Sequence, residues 1–217
     1  MRTVFISGVD KGLGRALAER FLASGDFVIG TSTTGTVDYS HTNLHVLLLD
    51  FYKPKTVEQC IQEINDLNRP IEILINNAGV LKDEDDTSVV LEKLRATLEV
   101  NLFGHIQITE ALLPIINSGG HIINISSSAG SLEKTTHTNH PAYKISKAAL
   151  NMYTRTLAIR LSGRITVSSV HPGWIKTDMG GTDADLAPEE AAEDIVKLMN
   201  SQVETGQFWF KGKKFPW

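Results

Sequence analysis

Seven short runs rich in Val, Ile, Leu and Phe recur along the chain: Arg2–Ser7, Phe27–Thr31, His45–Leu49, Ile71–Ile75, His121–Ser126, Ile165–Val170 and Gln207–Phe210. The central ones are nearly continuous in apolar residues, as strands are when helices cover both faces of a sheet. Segments with helical spacing fall between them, at Leu13–Ser24, Thr56–Asn68, Leu91–Ile116, Ala142–Leu161 and Pro188–Asn200. Within Val57–Leu67, for instance, Val57, Cys60, Ile61, Ile64 and Leu67 mark one face, with Glu58, Gln62, Glu63 and Asp66 between them. Strand–helix alternation predicts a parallel sheet with right-handed crossovers and helices on both sides. Ligands of such a sheet bind beyond the carboxyl ends of its strands. The chain has 217 residues, and no repeat, low-complexity tract or linker divides it, so one domain over 1–217 is expected.

Composition narrows the partners. The formal net charge of −4 comes with no long run of one sign, which argues against nucleic acid or an anionic membrane as the main partner. The one cysteine, Cys60, excludes an intrachain disulfide framework and suits a reducing compartment. No apolar run approaches the ~18 residues of a membrane span, and the N-terminus enters Thr3-Val4-Phe5-Ile6 without a signal-peptide pattern. A cytoplasmic location is expected.

The first strand runs into Ser7-Gly8-Val9-Asp10-Lys11-Gly12-Leu13-Gly14, and a helix follows. Glycines there permit a tight turn, close backbone approach to a pyrophosphate and close helix–strand packing. The helix N-terminus offers unpaired N–H groups to phosphates. The spacing is Gly-x-x-x-Gly-x-Gly, and its place between strand and helix points to nucleotide binding. An acid at the end of the second strand would bind an adenosine ribose 2′-hydroxyl and repel a 2′-phosphate. Gly30-Thr31-Ser32-Thr33-Thr34 has none. With Lys11 as a phosphate partner and hydroxyls on Ser32 and Thr33, NADP(H) is preferred, with NAD(H) possible.

Pro141 suits a first helical position, and Tyr143 and Lys147, four residues apart, then share one face of the helix. A phenol beside an ammonium is favoured toward phenolate and can exchange a proton near neutral pH.

These motifs occur in a fixed order: the glycine turn, Asn76-Asn77-Ala78-Gly79 after strand four, Ser126-Ser127-Ser128-Ala129-Gly130 after strand five, then Tyr143 and Lys147. Over essentially the whole chain the set resembles the short-chain dehydrogenase/reductase family. His171-Pro172-Gly173-Trp174-Ile175-Lys176-Thr177-Asp178-Met179-Gly180-Gly181 and the ending Phe215-Pro216-Trp217 are similar to the branch with the C-factor signalling protein and sniffer-type carbonyl reductases. The resemblance implies a single-domain Rossmann-type doubly wound α/β fold of about seven strands. It implies hydride transfer between a nicotinamide and a carbonyl or alcohol, with Tyr143 as general acid/base and Lys147 holding the ribose and lowering the phenol pKa. Ser127 matches the catalytic serine, with Ser126 and Ser128 as alternatives, and Asn101 completes a proton relay through a water. For the cofactor it implies Gly8, Lys11, Gly12, Leu13 and Gly14, Asp50 with Phe51 near the adenine, and Asn77, Ala78 and Gly79 along the adenosine. Pro172, Gly173, Ile175 and Thr177 would hold the carboxamide. A nucleotide-binding signalling protein with incidental turnover is the alternative.

The chain departs from the family pattern at Ser7, where threonine is usual, and in the long Ser127–Tyr143 interval, where Glu133 to His140 form an extra polar loop. No metal is expected, since His137 and His140 lack a third ligand by spacing. Asp83-Glu84-Asp85-Asp86 reads as a solvated turn. Trp174 and Met179 either line a pocket or pack, and the C-terminal aromatics read as edge-strand and tail packing or as a subunit contact. In the Leu91–Ile116 helix, Leu94, Leu98, Leu102, Ile106 and Leu113 form a stripe that Phe103, Ile108 and Leu112 widen. That width, with the family's habit of pairing the helices that carry Asn101 and Tyr143, predicts a dimer or tetramer.

Overall fold

The apolar runs assemble into one sheet of eight strands in the computed structural model, which describes residues 1–217. The strands are β1 (Thr3–Ile6), β2 (Phe27–Ser32), β3 (Leu44–Leu48), β4 (Ile71–Asn76), β5 (Ile116–Ile125), β6 (Thr166–Val170), β7 (Gln207–Phe210) and β8 (Lys213–Lys214). Between them lie α1 (Gly12–Ala23), α2 (Pro54–Asp66), α3 (Leu91–Leu98), α4 (His105–Leu112), α5 (Pro141–Arg160) and α6 (Pro188–Met199). The spatial order is β3-β2-β1-β4-β5-β6-β7-β8, with every pairing parallel except β7–β8. This is the doubly wound, Rossmann-type topology, and the order reverses between β1 and β4.

Strand side chains alternate between two cores. Val4, Ile6, Ile73, Ile75, Ile123 and Ile125 pack with α1 and α6. Phe5, Ile29, Leu74, Ile122 and Val167 face the other way, toward α2, α4 and α5. Both faces are covered, which is why the runs read as continuous rather than alternating. No helix is long and apolar enough to cross a membrane.

The structure corrects the sequence reading in four places. An eighth strand exists, because Lys211 and Gly212 adopt φ 46° and 71° and turn the chain back as a hairpin. The Leu91–Ile116 helix is interrupted by a π-helical segment, Glu99–Gly104, and ends in a 3-10 turn at Leu113–Ile115. β5 begins at Ile116, where a bulge carries it past Ile71 on β4. Ile108 and Leu112 are fully buried and form the face that covers the sheet, so they do not widen an outer stripe, whereas Phe103 is half exposed.

Polar side chains buried beneath the carboxyl ends of β4 and β5 are joined in a chain. Asn76 Nδ2 donates to Thr109 Oγ1 and to Asn124 Oδ1, both at 2.8 Å. Asn124 Nδ2 donates to Thr154 Oγ1 at 2.8 Å. A buried polar group left unpaired costs ~1–3 kcal/mol, so these bonds tie α4, β4, β5 and α5 together where a single loss is expensive.

Candidate active site

The glycine turn is closed by contacts that only glycine allows. Gly8 and Gly12 have φ of 72° and 55°. A Cβ on Gly14 would lie 1.7 Å from the Gly8 carbonyl oxygen, so α1 can start this close to β1 only without a side chain. Ser7 Oγ accepts from the Asn77 and Ala78 amides at 2.9 and 3.0 Å. Asn77 Nδ2 donates to the Ser7 and Gly8 carbonyls, both at 2.9 Å. The hydroxyl at the position that departs from the family is therefore used as a double acceptor. The α1 N-terminus carries no side-chain cap and no acid in its first turn, which leaves its amides and positive potential facing the cleft. Across the cleft, the Thr177 methyl would lie 3.0 Å from a Cβ on Gly12. Gly173, at φ 93°, bends the chain so that Ile175 pairs with Leu186, which fixes the segment from Pro172 to Thr177. This cradle suits a dinucleotide pyrophosphate.

Ser127, Tyr143 and Lys147 meet beside it. Ser127 follows β5 by two residues in extended conformation, and its Oγ accepts from the Ala129 amide at 3.1 Å. Gly130 then lies directly against Lys147, where a Cβ would come within 2.7 Å of the Lys147 carbonyl carbon. Asn151 Nδ2 donates to the Gly130 carbonyl at 3.1 Å and Ser169 Oγ donates to Asn151 Oδ1 at 2.6 Å, so β6 and α5 together hold the serine turn. Of the three serines, Ser127 is the one that faces the phenol, while Ser126 is buried without a partner. Lys147 is buried, donates to the Ile125 carbonyl at 2.8 Å, and sits 5.6 Å from the centre of the Tyr143 ring. Gly79 lies on the opposite side, where a Cβ would be 3.8 Å from Lys147 Nζ.

Burial dominates both ionisations. It pushes the Tyr143 phenol up to about 12, with the nearby Ser127 hydroxyl opposing. It pushes the Lys147 ammonium down to about 8. In the protein alone the phenol is thus neutral, and desolvation outweighs the downward pull expected from the lysine.

Asn101 lies in the π segment, fully buried. Its Oδ1 accepts from the Val80 amide at 2.8 Å, and its Nδ2 donates to the Val80 carbonyl at 2.9 Å and to Ser146 Oγ at 3.1 Å. The side chain is fully used as a brace, so any relay contact falls to its backbone. Four residues on, His105 is buried with no ring nitrogen in a well-formed bond, and desolvation and Lys147 push it down to about 3 against the weak pull of the Ala78 and Asn101 backbone.

The adenosine side is less assembled. Ser32 is buried and donates to the Thr36 carbonyl at 2.9 Å, whereas Thr33 is exposed. Asp50 accepts from the Tyr52 amide at 3.0 Å and pairs with Lys53 at 2.9 Å, and the Phe51 ring is buried edge-on to His105. With its ring buried, Phe51 would meet an adenine through its backbone, whereas the Asp50 carboxylate, with about four acceptor sites, keeps capacity for a further donor. Lys11 pairs with Asp178 at 2.7 Å, both largely exposed, so it reaches across the cleft toward the Thr177 segment.

Two features escaped the sequence reading. Asp83 is only 1% exposed and its Oδ2 accepts from the Ala142 amide at 2.6 Å, which overturns the solvated-turn reading at that residue. The tail packs as one of the two sequence readings had it, with Trp217 stacked on Phe208, but the bond its carbonyl accepts from the Glu133 amide at 3.1 Å had no sequence signal. Trp174 and Met179 are 51% and 40% exposed, so neither is a core residue.

Residues 2–187 match the model of the short chain dehydrogenase family. C-signal of Myxococcus xanthus is 34% identical over 161 residues, covering 68% of this chain and 93% of that protein. An NADPH-bound carbonyl reductase from chicken fatty liver superposes with a TM-score of 0.90 at 27% identity, covering 100% of this chain and 99% of that one. The carbonyl reductase Sniffer of D. melanogaster gives 0.88 at 28% identity, covering 100% of both chains.

The buried lysine makes a testable demand. Between about 8 and the ordinary value of 10.5 the unfolded chain keeps a proton on Lys147 that the folded chain has released, so this group makes stability rise with pH across that window. Lys147→Met removes the contribution. Urea unfolding is expected to show the variant's stability relative to wild type highest below the window and declining through it. A difference that stays constant with pH contradicts a desolvated Lys147.

Proposed function

The chain belongs to the short-chain dehydrogenase family, oxidoreductases acting on carbonyl or hydroxyl groups, and from that premise we propose that it is an NADP(H)-dependent carbonyl reductase. The observation that carries the reading is the convergence of Ser127, Tyr143 and Lys147 at the ends of β5 and α5, beside the glycine cradle. When bound, the nicotinamide supplies the hydride for the carbonyl carbon. Ser127 and Tyr143 donate hydrogen bonds to the substrate oxygen, and both bonds strengthen as negative charge develops there. Tyr143 then delivers its proton to that oxygen. A phenol held at about 12 by burial keeps its proton at neutral pH, which suits reduction. The Lys147 cation beside the ring favours the phenolate left behind. Pro172, Gly173, Ile175 and Thr177 hold the carboxamide side and Lys147 the adjoining ribose. A binding-only signalling role does not require this set of side chains.

The preference for NADP(H) rests on the acid-free end of β2 and on Lys11. The Lys11–Asp178 pair is exposed, and such pairs contribute little stability, so Lys11 is free to exchange Asp178 for a 2′-phosphate. The single, buried Cys60 suits a reducing cytoplasm.

We also propose a dimer or tetramer. Ile145, Met152 and Ile159, seven residues apart on α5, are 42%, 65% and 72% exposed, and Phe103 is 50% exposed. A stripe of that kind on a helix is an interaction surface, and a two-fold axis would pair it with its own copy.

NADPH oxidation measured against a panel of aldehydes, ketones and diketones tests the activity. Turnover with at least one class is expected, faster with NADPH than with NADH. Lys11→Ala should weaken NADPH roughly tenfold and NADH hardly at all. No turnover across the panel contradicts the enzyme, and a better NADH reaction contradicts the cofactor preference. Light scattering should give a mass of at least two 23.8 kDa chains, whereas the mass of one chain rejects the oligomer.

A further inference from the structure

We propose that Asp83 is a positioning residue for Tyr143, capping from a distant loop the helix end that carries the proton donor. The inference rests on the reading of Tyr143 given above. α5 has no cap of its own: Pro141 has no N–H, and His140, at φ 55°, makes no side-chain cap bond. The first free amide is that of Ala142, the residue immediately before Tyr143. It is taken by Asp83 Oδ2 at 2.6 Å, from 59 residues away in sequence. His140 Nδ1 lies 3.1 Å from the Asp83 carbonyl oxygen, and the His140 amide donates to the Asp86 carbonyl at 3.1 Å. Lys93 anchors Asp86 at 2.7 Å.

The loop bearing Asp83 is fixed at its start as well, because Asn101 bonds both backbone groups of Val80. The strap from Val80 to Asp86 therefore joins the π segment to the first turn of α5. Asp83 is 1% exposed and its Oδ1 has no partner. A carboxylate in that state is an expensive cap, compensated in part by the positive end of α5. An exposed Ser or Asp at position 140 would cap the helix at lower cost. What the buried strap adds is a fixed distance between the wall of the cofactor cleft and Tyr143.

Misplacing a reacting group by ~1 Å can cost ~100-fold in rate. Asp83→Ala is therefore expected to lower kcat by roughly 10- to 100-fold while the NADPH Kd stays within about twofold. Asp83→Asn keeps an oxygen for the Ala142 amide and should recover most of kcat. Should Asp83→Ala fail to fold, Asp83→Glu carries the test, since its extra methylene displaces the strap and should give the same loss of kcat at unchanged Kd. A kcat within about twofold of wild type in Asp83→Ala or, in its place, Asp83→Glu overturns the proposal, as does an Asn variant no better than Ala or a parallel loss of NADPH affinity. Ser127→Ala, run alongside, separates the two readings. If it turns over at the wild-type rate, the assignment of the site fails. If it is inactive while the Asp83 variants are unimpaired, only the positioning role fails.

Discussion

The cleft depends on the clamp between the ends of β1 and β4. Ser7 Oγ takes two amides from the end of β4, and the Asn77 side chain returns two bonds to the end of β1. These four bonds lie where the strand order reverses, so they hold open the crevice that the topology creates. On one side they fix the glycine turn and the uncapped start of α1. On the other they fix Gly79, and through Val80 they reach Asn101 and α5. Gly14 makes the clamp intolerant of change, because any side chain there would collide with the Gly8 carbonyl.

The chemistry comes from desolvation held in check by a few bonds. Lys147 keeps one bond, to the Ile125 carbonyl, and burial alone lowers its pKa. The phenol and ammonium are displaced in opposite directions, and both displacements favour the neutral form. Any added charge in the cleft would be felt strongly in such surroundings. The turn that carries Ser127 is held by Asn151 and Ser169, groups that never reach the cleft.

Much of this was legible in the sequence. Two-sided burial of the strands is visible in runs such as Ile71–Ile75, and the spacing of Tyr143 and Lys147 sets them on one helical face wherever the helix lies. Other features have no local signal. The π segment lies within a continuous helical pattern and places Asn101, whose side chain braces Val80. Asp83 looks like any solvated acid until α5 arrives 59 residues later. The Asn76–Asn124–Thr154 chain reads as polar interruptions within strands and helix until three elements meet. Ser32 and Asp50, read from the sequence as cofactor contacts near strand ends, each also bond their own loops, which no local pattern announces. The two-residue β8 is too short and polar to show a period and depends on the Lys211–Gly212 turn.

The central claim is that the Tyr143 phenol, between Ser127 and Lys147, is the proton donor and is not needed to hold the fold or the cofactor. Steady-state turnover of Tyr143→Phe, with NADPH affinity measured by fluorescence on the same protein, tests it most directly. The account predicts that kcat falls to background while the affinity for NADPH is nearly unchanged. Retention of a substantial fraction of the wild-type kcat would contradict it.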